Sequence, residues 1–244
     1  MATQQSQIQT KLEAKRRESF FYVGMAVFAA AVVFAGFSRT YYLRNLFGHP
    51  PLKPLLHLHG FLFTSWILLL IVQVSLVASK RTNIHRRLGV GGGVLAAAMV
   101  IVGTTIAIHS ARGEFTPGEP DPLGFLTVPL FDILVFAIVV GAAFLYRQRP
   151  DFHKRLMIVA TIALLPAAIA RFPGAFFEHG GPLVFFGGAD LILLACVVYD
   201  TIAKRRLHPA YIWGGVLLVA SHPLRIWIGG TAAWHAFAHW LTGV

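Results

Sequence analysis

Charge is scarce in this sequence. Ten acidic and 21 basic residues make up 13% of its 244 positions, where a soluble domain carries roughly a quarter. Cysteine is scarcer still: Cys196 is the one thiol, and it sits in an apolar run. That excludes internal disulfides and cysteine-held metal centres. No glycine-rich phosphate loop, nucleophile elbow or His-Glu-x-x-His stretch occurs, so the chemistries those motifs carry have no anchor here. The last long apolar segment has no lysine, which excludes a retinal Schiff base.

What the sequence has in abundance is apolar length. Hydrophobic residues make up 56% of it and the mean hydropathy is +0.66. The apolar residues fall in blocks of about 18 to 24, the length of a bilayer-spanning helix. Seven segments follow: Phe20–Phe37, Leu55–Ala78, Leu88–Ile108, Leu123–Tyr146, Leu156–Ala170, Leu183–Thr201 and Ile212–Gly229. The fifth is the shortest and contains Pro166. No two-residue alternation suggests a barrel, and lipid satisfies no free backbone groups, so helices are the expected form. The fold class is an all-α polytopic membrane protein, a bundle of seven transmembrane helices. The first block follows a long polar head and is expected to remain as a span rather than act as a cleaved signal. The chain divides into a basic segment 1–19 with an amphipathic surface helix from Ile8 to Ser19, the bundle 20–229, and an interfacial tail 230–244. Trp234 and Trp240 give that tail a headgroup-level character.

The net charge of +11 resembles that of a nucleic-acid binder, but its distribution explains it otherwise. Fifteen of the 21 cations fall in the N-terminal head and in the loops around 80–87, 147–155 and 204–206; Arg39, Arg44, Lys53 and Arg112 occupy the opposite loops. The positive-inside rule then puts the N-terminus in the cytoplasm and the C-terminus outside, in a bacterial inner membrane. The expected partners are anionic lipid and other membrane-complex subunits, not nucleic acid. Two connecting stretches match at identical spacing: Arg81-Thr-Asn-Ile-His85-Arg-Arg-Leu88 and Arg149-Pro-Asp-Phe-His153-Lys-Arg-Leu156. They suggest either a parallel duplication of two spans or helix punctuation with Asn83 and Asp151 as N-caps.

Ionisable residues inside a bilayer are costly and face cavities or one another. Asp132 falls about 13 Å below the outer boundary, Asp190 about 10 Å and Arg225 about 6 Å, at 1.5 Å per helical residue. His222 lies one turn deeper than Arg225, and Arg171 closes the fifth span. His57 and His59 start the second span above Thr64, Ser65 and Trp66. Asp132, Asp190, Arg171, Arg225, His59 and His222 are expected to line one outward-opening cavity, and the inner half to hold no such set. Structural ion pairing of the two aspartates with the two arginines is the plainer alternative. Eleven histidines are many for a membrane chain, and imidazole is a common ligand for transition metals. His57, His59, His109 and His222 are candidate cofactor ligands. His235 and His239, four apart on one helical face, are a candidate metal pair.

The run His57-Leu-His59-Gly60, Trp66, Gln73 and His85-Arg-Arg-Leu-Gly89 resembles uncharacterised bacterial polytopic membrane families of unknown function. It also resembles the ascorbate-reducible cytochrome b class. That resemblance implies haem b held between helices, with His59 and His109 as outer ligands and His85 and His153 as inner ones. His235-x-x-x-His239 resembles the seven-span zinc hydrolases related to adiponectin receptors, whose serine–histidine pair is absent here. The expected function is haem or transition-metal binding in membrane electron transfer or respiratory assembly. Proton-coupled binding or transport of a small molecule, or an accessory structural role, is the alternative. The orientation is checked by labelling intact cells: a cysteine placed at Glu119 should react with an impermeant reagent and one placed at Arg205 should not. The reverse pattern would invert the topology.

Overall fold

The computed structural model describes residues 2–115 and 120–244, with the side chains at positions 2, 3, 11 and 178 left aside. Position 119 therefore lies outside the described residues. Seven helical segments are long and apolar enough to cross a membrane, and no strand occurs among the described residues. The elements are α1 (Ala2–Phe37), α2 (Pro54–Ala78), α3 (Thr82–Ala111), α4 (Pro122–Phe125), α5 (Thr127–Leu145), α6 (Pro150–Ile162), α7 (Pro166–Ile169), α8 (Ala175–His179), α9 (Gly181–Lys204), α10 (Pro209–Gly229) and α11 (Ala232–Thr242). Segments α4–α5 and α6–α7 each make one span. Five helices that open on a span or half-span do so with proline at the first helical position, where the missing N–H costs nothing.

Large apolar side chains lie exposed on the outer faces, among them Val90, Val94 and Ile101 of α3, Leu191 and Ile202 of α9, and Val216 of α10. Such an apolar exterior on an all-helical bundle is that of a multi-pass membrane protein. Small and branched residues fill the centre. The most enclosed span is the fifth, whose Val159, Ala160, Ala163, Leu165 and Ala168 are fully buried. It packs against α1, α5, α9 and α10. Its modest hydropathy, second lowest of the seven, accords with its contact with helices rather than with lipid. Pro166 breaks it: the pyrrolidine ring clashes with the carbonyl four residues back, so Ala163–Leu165 tighten into turns before α7 resumes.

Two local expectations change, and one gains detail. The surface helix from Ile8 to Ser19 is instead the first half of an unbroken α1 of 36 residues, about 54 Å long and well beyond a ~30 Å hydrocarbon core. Nothing in Gln4–Glu18 stops a helix, and Glu13 and Arg17 pair at i,i+4. Asn83 and Asp151 are not caps, because the helices begin one residue earlier, at Thr82 and Pro150. The matching stretches instead bring His85 and His153 into ring contact, centroids 6.2 Å apart. The tail forms its own helix, α11, capped by Thr231 and folded back on α3 and α4, where Trp234 donates to the Leu123 carbonyl at 2.7 Å.

The closest crossing joins α1 to α7 at Gly36, where an added Cβ would overlap the backbone of Ala168. Gly36→Val should destabilise the bundle by about 1–3 kcal/mol, the usual cost of overpacking. A lowered thermal midpoint in detergent would show it, and an unchanged midpoint would mean the two helices are not in contact.

Candidate functional site

A cavity of about 250 Å³ opens among the helix ends opposite the basic loops. Its walls are mostly apolar and aromatic, with Phe37, Phe63, Trp66, Phe125 and Ile133 prominent. The chain reaches it through a change of helical pitch. After Phe37 the backbone widens into a π-helix, Ser38–Tyr42, which turns Tyr41 and Tyr42 toward α2. Such widened turns are frequent at functional sites. Tyr42 exchanges a 2.8 Å hydrogen bond with Thr64, and the Tyr41 ring rests where a Cβ on Gly60 would stand. Arg44 staples the loop by donating to the carbonyls of Thr40 (2.8 Å) and Pro50 (2.5 Å). Trp66 forms part of the wall, its indole donating to Thr161 at 3.2 Å and set edge-on against Phe136.

The acidic and basic side chains lining the cavity are His59, Asp132 and Arg171, alongside Tyr41, Tyr42, Thr64 and Ser110. Asp132 is held from behind by Arg225, which is fully buried. Arg225 bonds Asp132 Oδ1 and the carbonyl of Val128 through Nη1, the Ser221 hydroxyl at 2.7 Å through Nη2, and the Ser221 carbonyl at 3.2 Å through Nε. The charge pair is thus closed. Arg171 donates to the Ala167 carbonyl at 2.5 Å and lies over the Phe37 ring. Arg171 is exposed at the mouth of the cavity, and no carboxylate among the described side chains lies within salt-bridge distance of it. His59 packs on Phe63, with its buried Nδ1 unpartnered.

Three of the six residues expected to line one cavity therefore line it, and Arg225 supports it. His222 and Asp190 stand apart, beyond Phe186. Their facing atoms are 3.3 Å apart, and Phe186 stacks on His222. The remaining histidines go elsewhere. His57 is exposed beside Tyr41. His109 bonds Glu114 at 2.7 Å, and that bond holds the Glu114 carboxyl below its ordinary value. His235 sits between the Thr231 carbonyl (3.0 Å) and Asp121 (3.2 Å), which together raise its proton affinity, the carbonyl foremost. Asp121 is lowered chiefly by the Gly124 N–H. His239 Nδ1 donates to the Val244 carbonyl. No group of three or more metal-binding side chains gathers among the described residues.

The other half of the bundle corrects a larger expectation. It was expected to hold no polar set, yet Arg155 and Asp200 form a buried bidentate pair there, Nε to Oδ2 at 2.9 Å and Nη2 to Oδ1 at 2.5 Å. Their side chains are 1% and 4% exposed. Arg155 looks like one more loop cation by sequence. Its position on the first turns of the most enclosed span turns it inward. Glu18 adds a bridge to Lys154 at 2.5 Å and to Lys204 at 3.2 Å, tying α1 to α6 and α9.

No protein-family model, curated protein or solved structure matches the chain, so its own geometry carries the reading of the site. Asp200→Ala would leave Arg155 buried and uncompensated, at a cost of about 3–5 kcal/mol. Asp151→Ala removes an exposed partner of the same arginine and should cost no more than ~1 kcal/mol. Comparable losses in the two variants, measured by thermal unfolding in detergent, would show that the buried pair has no special weight.

Proposed function

We propose that this chain binds a small amphiphile with an anionic head, of the carboxylate class, in a cavity that opens on the non-cytoplasmic side of a bacterial inner membrane. The orientation rests on the distribution of cations, fifteen of which gather at the end away from the cavity. The observation that carries the ligand class is Arg171: a guanidinium in an apolar and aromatic cavity, beside an aspartate already neutralised by Arg225. A guanidinium matches a carboxylate in shape and charge, while the aromatic walls suit a short apolar body. His59, Tyr41 and Tyr42 supply further polar contacts at the rim.

Trp66 serves as a built-in reporter. Octanoate should change its fluorescence, a change lost in Trp66→Phe, whereas octylamine of like body and opposite charge should not. Arg171→Gln should weaken octanoate binding by about tenfold or more, the value of a hydrogen bond to a charged group. Equal responses to octanoate and octylamine, or an unaffected Arg171→Gln protein, would reject the carboxylate reading.

Haem b or transition-metal binding in electron transfer is a second reading, favoured by His85 and His153. His153 donates Nδ1–H to the Ala143 carbonyl at 2.8 Å, which leaves Nε2 as the free ligand atom, as metal-bound imidazoles are usually set. The 6.2 Å centroid spacing accommodates two imidazoles on opposite sides of one ion at ~2 Å per nitrogen. The outer histidines offer no comparable pair. A reducible Soret band lost in His85→Ala and His153→Ala would support this reading, and a colourless, metal-free folded protein would remove it.

A further inference from the structure

Three buried polar atoms meet without partners between α9 and α10: both ring nitrogens of His222 and Oδ1 of Asp190. Buried polar groups in native proteins are hydrogen-bonded in the great majority of cases, and an orphan marks an absent proton, water or ion. Nδ1 of His222 is 3.3 Å from Asp190 Oδ2 yet makes no hydrogen bond with it. One added proton on the imidazole would turn this near-contact into an ion pair. Asp190 is only partly covered, with a third of its side chain exposed, whereas Arg225 is fully buried.

We infer that Asp190 and His222 form a proton-binding site coupled to the occupant of the cavity. This rests on the anionic-ligand reading for what is coupled, but not for the proton site itself. The coupling element is Phe186. Its ring lies parallel to His222 at 4.3 Å and 4.8 Å from the Arg225 guanidinium, so both groups rest on one aromatic ring. Arg225 in turn holds Asp132 in the cavity wall. The charged groups facing His222 are Asp190 from α9, Arg225 from its own helix and, through Arg225, Asp132 from α5. α4 has no charged residue, and those of α6 all lie in its first two turns at the opposite end. α11 brings His235, already paired with Asp121.

The sign of the coupling follows from charge. A carboxylate beside Arg171 adds negative charge next to Asp132 and lowers the positive potential that Arg225 exerts on His222 across Phe186. Protonation of His222 thereby becomes easier, and by reciprocity the protonated pair holds the anion more tightly. Imidazole plus one proton gives imidazolium facing the Asp190 carboxylate, and no other bond changes. The chain would thus take up a proton together with an acid anion, the requirement for proton-coupled handling of a carboxylate.

The test uses the full chain in nanodiscs. Octanoate is added in weakly buffered solution, with proton uptake read by an indicator dye and binding read by Trp66 fluorescence. Wild type should take up about one proton per octanoate bound, with affinity rising up to about tenfold per unit fall in pH within the imidazole range of about pH 5 to 8. Asp190→Asn and His222→Gln should bind octanoate with little pH dependence and take up no proton. His59 is the other imidazole near the ligand: His59→Gln should weaken octanoate binding while keeping about one proton taken up per octanoate bound. NMR of isotope-labelled histidine provides a reading without ligand: the resonance missing in His222→Gln should titrate within that range and move in Asp190→Asn. Octanoate binding without proton uptake, uptake that persists in both variants, or a His222 resonance that does not titrate would overturn the proton site. Failure of octanoate to bind while His222 still titrates would instead reject the ligand reading and leave the proton site standing.

Discussion

The Arg225–Asp132 pair holds the cavity end of the bundle together. A fully buried guanidinium is tolerable only if its donors are matched, and here they reach a carboxylate, two carbonyls and a hydroxyl on α5 and α10. Removing either partner would strand a charge where water cannot follow. The aspartate is consequently fixed at the cavity wall, and the guanidinium is fixed against Phe186, the ring on which His222 also stacks. Arg171 differs from Arg225 in that, among the described side chains, it has no carboxylate within salt-bridge distance.

At the other end Arg155 and Asp200 form a second closed pair between α6 and α9. The two pairs differ in surroundings. Around Arg225 a cavity reaches the carboxylate, whereas the Arg155 pair is enclosed by the bundle and buttressed by Glu18 with Lys154 and Lys204. Between them runs the fifth span, rich in alanine and valine and interrupted at Pro166. The break frees the chain after Ile162 to turn, so that Leu164, Leu165 and Arg171 reach the cavity instead of continuing along one straight helix face.

Much of the fold was legible along the chain because the bilayer is a demanding solvent. Length and hydropathy identify all seven spans, and the proline positions mark most of their starts. The separate tail helix is legible from Gly229-Gly230 and the aromatic residues that follow. The continuity of α1 was not legible, because a polar helix that projects beyond the lipid and a surface helix share one composition. Of the site, Asp132, Arg171 and His59 stood out as ionisable groups at one depth. Tyr41, Tyr42 and Phe37 carried no such signal, since only the π-helical turn after Phe37 aims the tyrosines inward. Arg155 was hidden among fourteen other cations on the same side, because charge distribution reports which end a residue occupies and not whether it faces in or out.

The sequence by itself determined that the chain is helical, how many times it can cross a membrane and which end concentrates positive charge. Each of these depends on the transfer of single segments between water and lipid, a property local to the segment. Which aspartate meets which arginine was decided by tertiary structure alone. Asp132 meets Arg225 across 93 positions of chain, and Arg155 meets Asp200 across 45. The same packing separated His222 and Asp190 from the cavity despite their equal depth. Depth is fixed by distance along a helix, but rotation about the helix axis is fixed by the neighbours against which it packs.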